Sequence, residues 1–208
     1  MAPPSITIAV ASRPHPTETV NGDTWAIDWH DGACRIAVVD GLGHGPQAAA
    51  AALAARQALA AHPDLLPAAA LVLLHTALRG TRGAAISIAH VDLATGSLTY
   101  AGVGNVEARL WQAGKAQRLL AFRGIVGSTL PTVRPVTCPL AAPWLLALHT
   151  DGVSARFELE ATAPAALQAA ADDLLARWGR ATDDATIVLA APAPTRQRTR
   201  SRRGAPPT

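Results

Sequence analysis

The chain has 208 residues, half of them hydrophobic and only 16% charged, which fits one globular domain of ordinary size with a substantial core. Its net charge of +3 belongs to five arginines in the last thirteen residues (Arg196, Arg198, Arg200, Arg202 and Arg203); without them the body holds 13 basic against 15 acidic residues. A near-neutral body lacks the basic face that nucleic-acid recognition needs, so no nucleic acid is expected as a partner.

Met1 to Ser12 shows no basic segment followed by a long apolar core, so no signal peptide is expected. No apolar run approaches the ~18 residues of a membrane span. These readings predict a cytoplasmic protein without a membrane partner. Cys34 and Cys138, with no CxxC spacing, read as buried reduced thiols.

Ser5 to Ala11 alternates and is rich in Ile and Val, which predicts a first strand. Arg13 to Thr19 carries two prolines and reads as a loop. Thr24 to Trp29 alternates, His30-Asp31-Gly32 is a tight turn, and Cys34 to Val39 is the partner strand. That hairpin brings Asp23 and Asp40 together, although they are far apart along its two strands. Pro46 to Ala61 is a helix of good formers, with Pro at its first position; His62-Pro63-Asp64 breaks it, and Leu65 to Leu78 is a second helix.

Strands are predicted at Ala84 to Val91, Ser97 to Val103, Val106 to Gln112 and Lys115 to Leu119, joined by hairpin loops that include Gly104-Asn105. This reads as an antiparallel meander without a βαβ rhythm. Gly124 to Pro131 is a loop, and Arg134 to Cys138 and Pro143 to His149 are two more strands. Ala163 to Trp178 is a helix, and Thr182-Asp183-Asp184-Ala185-Thr186 opens a last strand at Ile187 to Ala190. From Pro192 the composition is that of a disordered Arg/Pro-rich tail, 192–208, read as a solvated end in preference to a docking arm. The domain is expected over 1–191.

The stretch Ile36 to Pro46 organises the rest. A buried apolar run ends in Asp40, passes through Gly41-Leu42-Gly43-His44-Gly45 and enters a helix at Pro46. The bland alternative is a strand–turn–helix junction with a hydrogen-bonded Asp. The pattern recurs, however: Asp23, Asp151 (after Pro143 to His149) and Asp183 with Asp184 also lie at strand ends beside small residues. Carboxylates clustered without partner lysines repel one another and need cations. With no paired Cys or His they select hard ions, Mg²⁺ or Mn²⁺. Two such ions about 3.5–4 Å apart can hold a water between them, lower its pKa and aim it at phosphorus.

Other chemistries fit less well. Gly41-x-Gly43-x-Gly45 lacks the dinucleotide-binding GxGxxG spacing, and no GxxxxGK[ST] phosphate loop is present. His30, His62, His75, His90 and His149 are scattered and read as turn, surface or packing residues, and the five Trp as core. Gly102, Gly104 and Asn105 read as turn residues needing positive φ, outside the catalytic chemistry.

In order along the chain stand Gly22-Asp23, Val39-Asp40-Gly41-Leu42-Gly43-His44-Gly45, Arg82-Gly83-Ala84-Ala85, Ala101-Gly102-Val103-Gly104-Asn105, Gly124-Ile125-Val126-Gly127, Thr150-Asp151-Gly152-Val153 and Asp183-Asp184-Ala185-Thr186. This ordered set, covering about residues 5 to 190, resembles the SpoIIE-like branch of the type-2C metal-dependent Ser/Thr phosphatase superfamily. It is most similar there to the small stand-alone RsbX-type phosphatases. The resemblance implies an α+β fold, the type-2C phosphatase-like α-β-β-α sandwich of two antiparallel sheets flanked by helices.

It also implies a site. Asp40 would bridge two divalent ions, Mn²⁺ or Mg²⁺, and the Gly41 carbonyl would ligate one of them. Asp151 and Asp183 would hold the second metal, and Asp23 would act on the first. Asp184 leaves the register of the Asp183-Asp184 pair open, with Asp183 favoured. Asp40, Asp151 and Asp183 are the residues expected to carry catalysis. The eukaryotic branch places a His directly after the Asp-Gly pair as general acid; here Leu42 stands there, and the role is not transferred to His44. The implied activity is hydrolysis of phosphoserine or phosphothreonine on a STAS-domain protein of a stressosome or partner-switching module, with its cognate switch serine kinase as a second partner. The alternative is a catalytically weak module that binds a phosphoprotein or switch kinase without turnover.

Overall fold

The computed structural model describes residues 5–194. An apolar alternating segment forms β1 (Ile6–Arg13). A loop leads to the hairpin of β2 (Asp23–His30) and β3 (Ala33–Gly41), closed by Asp31 and Gly32, both at positive φ. Helices α1 (Pro46–Ala60) and α2 (Pro67–Ala77) follow, each with Pro in its first turn. Then come β4 (Ala84–Asp92), β5 (Ser97–Val103), β6 (Glu107–Gln112), β7 (Lys115–Leu119), β8 (Val136–Pro139) and β9 (Trp144–His149). A 3₁₀ turn (Pro164–Ala166) runs into α3 (Leu167–Trp178), and β10 (Ala185–Pro192) closes the order.

The strands make two five-stranded antiparallel sheets, ordered β2-β3-β4-β5-β8 and β1-β10-β9-β6-β7. Strand β3 shows how the layers arise. Ala33 to Val39 are all buried, because the strand is covered on both faces. Cys34, Ile36 and Val38 point between the sheets, where they meet Leu110, Leu146 and Val188 of the second sheet. Ala37 and Val39, on the opposite face, pack under α1 and α2 with Ala51, Ala55, Leu71 and Leu74. A third cluster seats α3, through Leu167 and Ala171, on Leu145, Ala147, Ile187 and Leu189. The expected α-β-β-α sandwich is what the chain forms.

Several details differ from the sequence reading. The meander does not continue past β5: β5 pairs with β8, while β6 pairs with β7 and β9 in the other sheet. Gly104-Asn105 is therefore a crossing between sheets. A two-residue link between two strands reads as a hairpin in sequence, and only the competition of β8 and β9 for the strand edges decides otherwise. The helix expected from Ala163 starts as a 3₁₀ turn, and the one expected over Leu65 to Leu78 is shorter at both ends. Trp29 is 52% exposed at the end of an edge strand, against the core position expected for it. Cys34 is buried with its thiol pushed up to about 12 by burial, whereas Cys138 is only half-buried. Pro192, expected to open the tail, still belongs to β10, and the tail from 195 lies outside the described residues.

Among the described residues Arg35 is the one large cation inside the fold, 1% exposed. Its guanidinium pairs with Asp28 at 2.7 Å and donates to the carbonyls of Leu59, His62 and Leu65. Those carbonyls lie at and beyond the C-terminal turn of α1, where helix carbonyls lack intrahelical partners. One side chain thus fixes the α1–α2 connection against β3.

Candidate active site

The acids meet at one rim because the strands that carry them end there. Asp23 opens β2 and Asp40 nearly closes β3, and the two are direct register partners. Gly41 follows, its N–H donating to the Gly22 carbonyl at 3.1 Å. A Cβ on Gly41 would lie 2.3 Å from the Ala48 carbonyl, so only glycine lets the first turn of α1 close onto this strand end. The second sheet delivers the other acids. Asp151 follows β9, and Asp183 and Asp184 immediately precede β10, β9's neighbour.

A polar seam joins the two sheets at this rim. The Thr186 N–H donates to Thr150 Oγ1 at 3.0 Å, and that hydroxyl donates to Asp23 Oδ2 at 2.8 Å. Asn21 receives the Asp23 N–H at 2.9 Å and donates to Ser12 Oγ, which in turn bonds Thr186 Oγ1 at 2.7 Å. Asp23 and Asp184 are buried, at 5% and 3% exposure. Asp40, Asp151 and Asp183 are half-buried.

The electrostatics follow this placement. Burial pushes Asp40 up to about 9, and the charges of Asp23, Asp151, Asp183 and Asp184 push it the same way. Burial raises Asp23 to about 7 against the Thr150 hydrogen bond, with Asp184 its strongest acidic neighbour. Asp183 is raised by burial and then by Asp151. Asp40 thus feels all four of the other acids, two of them buried, Asp23 and Asp184, and two more open, Asp151 and Asp183. All five sequence-predicted acids are brought together.

The Asp183-Asp184 pair divides its work. Asp184 Oδ1 accepts the His15 N–H at 2.9 Å, and its own N–H donates to Asp183 Oδ1 at 3.0 Å. Asp184 Oδ2 is buried without a hydrogen-bond partner, against Gly22, where a Cβ would come within 2.6 Å. An unpartnered buried carboxylate oxygen in an acid cluster is a fit for a cation. Among the described residues no group of three or more His, Cys, Asp or Glu is arranged to hold a metal ion as it stands. Hard ions such as Mg²⁺ keep several waters and take only one or two carboxylates each, so the donor set and the orphaned oxygen fit such ions.

Three neighbours escaped the sequence reading. Asn105, read as a turn residue, donates from Nδ2 to Asp151 Oδ2 at 2.6 Å, and its φ is not positive. The sheet crossing carries it there, and a hairpin would not. His15, in a proline-containing loop, holds Asp184 through its backbone and stacks on His44 with ring centroids 4.6 Å apart. Thr150 was visible only as the residue before Asp151. His44 Nδ1 lies 2.7 Å from Glu18 Oε1, so its ring is committed to Glu18 and His15 at the exposed edge.

The comparisons with known proteins agree with this architecture. Residues 30–192 match the family described as stage II sporulation protein E (SpoIIE); Asp23 lies just ahead of the matched span. No curated protein sequence matches. A solved chain described as "The bacterial stressosome: a modular system that has been adapted to control secondary messenger signaling" is 28% identical, with a TM-score of 0.80 over 89% of this chain and 99% of its own. RsbX in complex with magnesium is 21% identical, with a TM-score of 0.78 over 90% of this chain and 96% of its own. The catalytic domain of the serine/threonine protein phosphatase PstP with two manganese ions is 15% identical, with a TM-score of 0.64 over 91% and 99%. The chain has the fold of the type-2C serine/threonine phosphatases and belongs to the SpoIIE family.

Proposed function

We propose that the protein is a metal-dependent protein-serine/threonine phosphatase of the cytoplasm. Its substrate is the phosphorylated STAS-domain regulator of a stressosome or partner-switching module, and the cognate switch serine kinase is a second partner. The observation that carries this reading is the meeting of strand ends at one rim, Asp40 opposite Asp23 and joined through Thr150 to the strand ends that carry Asp151, Asp183 and Asp184, in a chain of the SpoIIE family. The magnesium and manganese in the RsbX and PstP structures support Mg²⁺ or Mn²⁺ as the ions.

In this reading Asp40, the Gly41 carbonyl, Asp151 and Asp183 would hold two divalent ions, with Asp23 acting directly or through water. Bound there, the ions would supply Lewis acidity and a water of lowered pKa. The chain's own contribution is orientation. Thr150 fixes the Asp23 carboxylate, Asn105 fixes Asp151, and the Asp184 N–H fixes Asp183. Asp184 would be the further carboxylate open to the ions: its Oδ1 accepts the His15 N–H, and its Oδ2, against Gly22, has no hydrogen-bond partner.

The test is phosphate release from p-nitrophenyl phosphate and from a phosphoserine STAS-domain protein, with Mn²⁺ and with chelator. Turnover that needs Mn²⁺ and disappears with chelator is expected. No metal-dependent release from any phosphoprotein sinks the enzyme and favours a phosphoprotein-binding module.

A further inference from the structure

Five carboxylates crowd this rim, and two divalent ions would bring four positive charges, so the loaded site would keep one net negative charge. A phosphate monoester dianion approaching it needs a cation that the acids have not already claimed. Three basic side chains border the turn from Gly41 to Gly45: His15, His44 and Arg82. His44 is paired with Glu18 at 2.7 Å, and His15 Nδ1 is engaged by Thr17. Arg82 differs from both. It is exposed, and among the described residues it forms no ion pair.

Its position is set by backbone. Gly41 and Ala84 are register partners, and the Leu42 N–H donates to the Gly83 carbonyl at 3.0 Å, which brings residue 82 alongside the turn. The guanidinium then meets Gly43 through Nη1. A Cβ there would be 2.8 Å from Nη1, and among the described residues the only side-chain hydrogen bond Arg82 makes is a long one, 3.5 Å, to the Leu42 carbonyl. Gly43 sits at φ 82, which glycine tolerates. An open cavity of about 450 Å³ lined by Gln47, Ala50, Gly80, Thr81 and Arg82 adjoins it. The first turn of α1 beside that cavity holds no acid.

We propose that Arg82 is the phosphoryl-binding residue of this site, receiving the equatorial oxygens of the substrate's phosphate monoester and of the phosphate product. This rests on the phosphatase reading above for its substrate. A guanidinium presents a planar pair of N–H donors that matches two phosphate oxygens, which an ammonium does not. Gly43 is the companion requirement, because any side chain there displaces the guanidinium.

The experiment compares the full-length wild type with Arg82→Ala, Arg82→Lys and Arg82→Gln, all loaded with Mn²⁺. It reads KM and kcat on p-nitrophenyl phosphate and on a phosphoserine peptide. It also reads inorganic phosphate and Mn²⁺ affinities by calorimetry. Arg82→Ala should raise KM on both substrates and the Kd for inorganic phosphate by about 10- to 100-fold, with Mn²⁺ affinity held and kcat changed less. Arg82→Lys should recover part of the loss. If Arg82→Ala does not fold, Arg82→Gln keeps the stem and reads the same quantities. Unchanged phosphate affinity, or no phosphate binding by the wild type, overturns the proposal. So does a loss confined to the peptide, which would make Arg82 a reader of the protein around the phosphate, and so does a parallel loss of Mn²⁺ affinity. Arg82-dependent phosphate binding without turnover by the wild type would sink the phosphatase reading and leave this assignment standing.

Discussion

Gly152 and Asp184 touch backbone to backbone: a Cβ on Gly152 would lie 1.8 Å from the Asp184 carbonyl oxygen. The Arg180 N–H donates to the Gly152 carbonyl at 2.7 Å, which ties the same two loops. This approach sets Asp151 beside Asp183. Gly152→Ala must push the loops apart, with a loss at or above the top of the about 1–3 kcal/mol range for overpacking. Mn²⁺ affinity should fall with it. Thermal unfolding and a Mn²⁺ titration check both, and an alanine variant with wild-type values in each would contradict the geometry.

Acidity should control the stability of the metal-free protein. Asp40 and Asp23 ionise at about 9 and about 7 in the fold, against an ordinary value of 3.8. Between those limits the folded chain keeps protons that the unfolded chain has released, so stability falls as pH rises. The melting temperature in chelator should decline from about pH 5 to about pH 9. Mn²⁺ should flatten or reverse that slope, because it replaces the protons. A metal-free melting temperature that climbs across the window is the opposing result.

Activity should separate the carboxylate at the centre from its neighbours. Asp40→Asn should lower turnover by more than about 100-fold, beyond the about 10- to 100-fold typical of groups that orient a ligand. Asn105→Ala, which frees Asp151, should fall within that lower range. His44→Ala should lose far less than Asp40→Asn, since its ring is engaged by Glu18 and His15. Steady-state kinetics on p-nitrophenyl phosphate rank the three; equal losses for His44 and Asp40 refute the ordering.

Stability should depend on Arg35 although it lies away from the acids. Arg35→Ala leaves Asp28 and three carbonyls without their partner, a loss of about 3–5 kcal/mol for breaking a buried pair. Denaturant unfolding measures it, and a change under about 1 kcal/mol would mean that water replaces the guanidinium.

Most of the fold was legible because each element obeys a local rule. Alternation marked β1 and β2, a proline marked the start of α1, and the hairpin turn placed Asp23 opposite Asp40. Repetition of an Asp at a strand end beside small residues marked the other acids. What local rules do not encode is which strand edges compete. The crossing at Gly104-Asn105 hid Asn105, and the loop before β2 gave no sign that His15 would reach Asp184. Arg35 was invisible for the same reason: a charged residue in an apolar strand finds its partners at the end of a helix 24 or more residues away.

The pairing of β1 with β10 has a practical consequence. Ser5 and Ala193 are hydrogen-bonded neighbours, while the other end of the same ladder, Arg13 opposite Ala185, adjoins the acids. Eight strand steps of about 3.4 Å separate the two ends, about 27 Å. A dye, a tether or a fused reporter joined at either Ser5 or Ala193 therefore leaves from the same corner and stands clear of the cleft, so immobilised protein should present an unobstructed entrance to a macromolecular substrate.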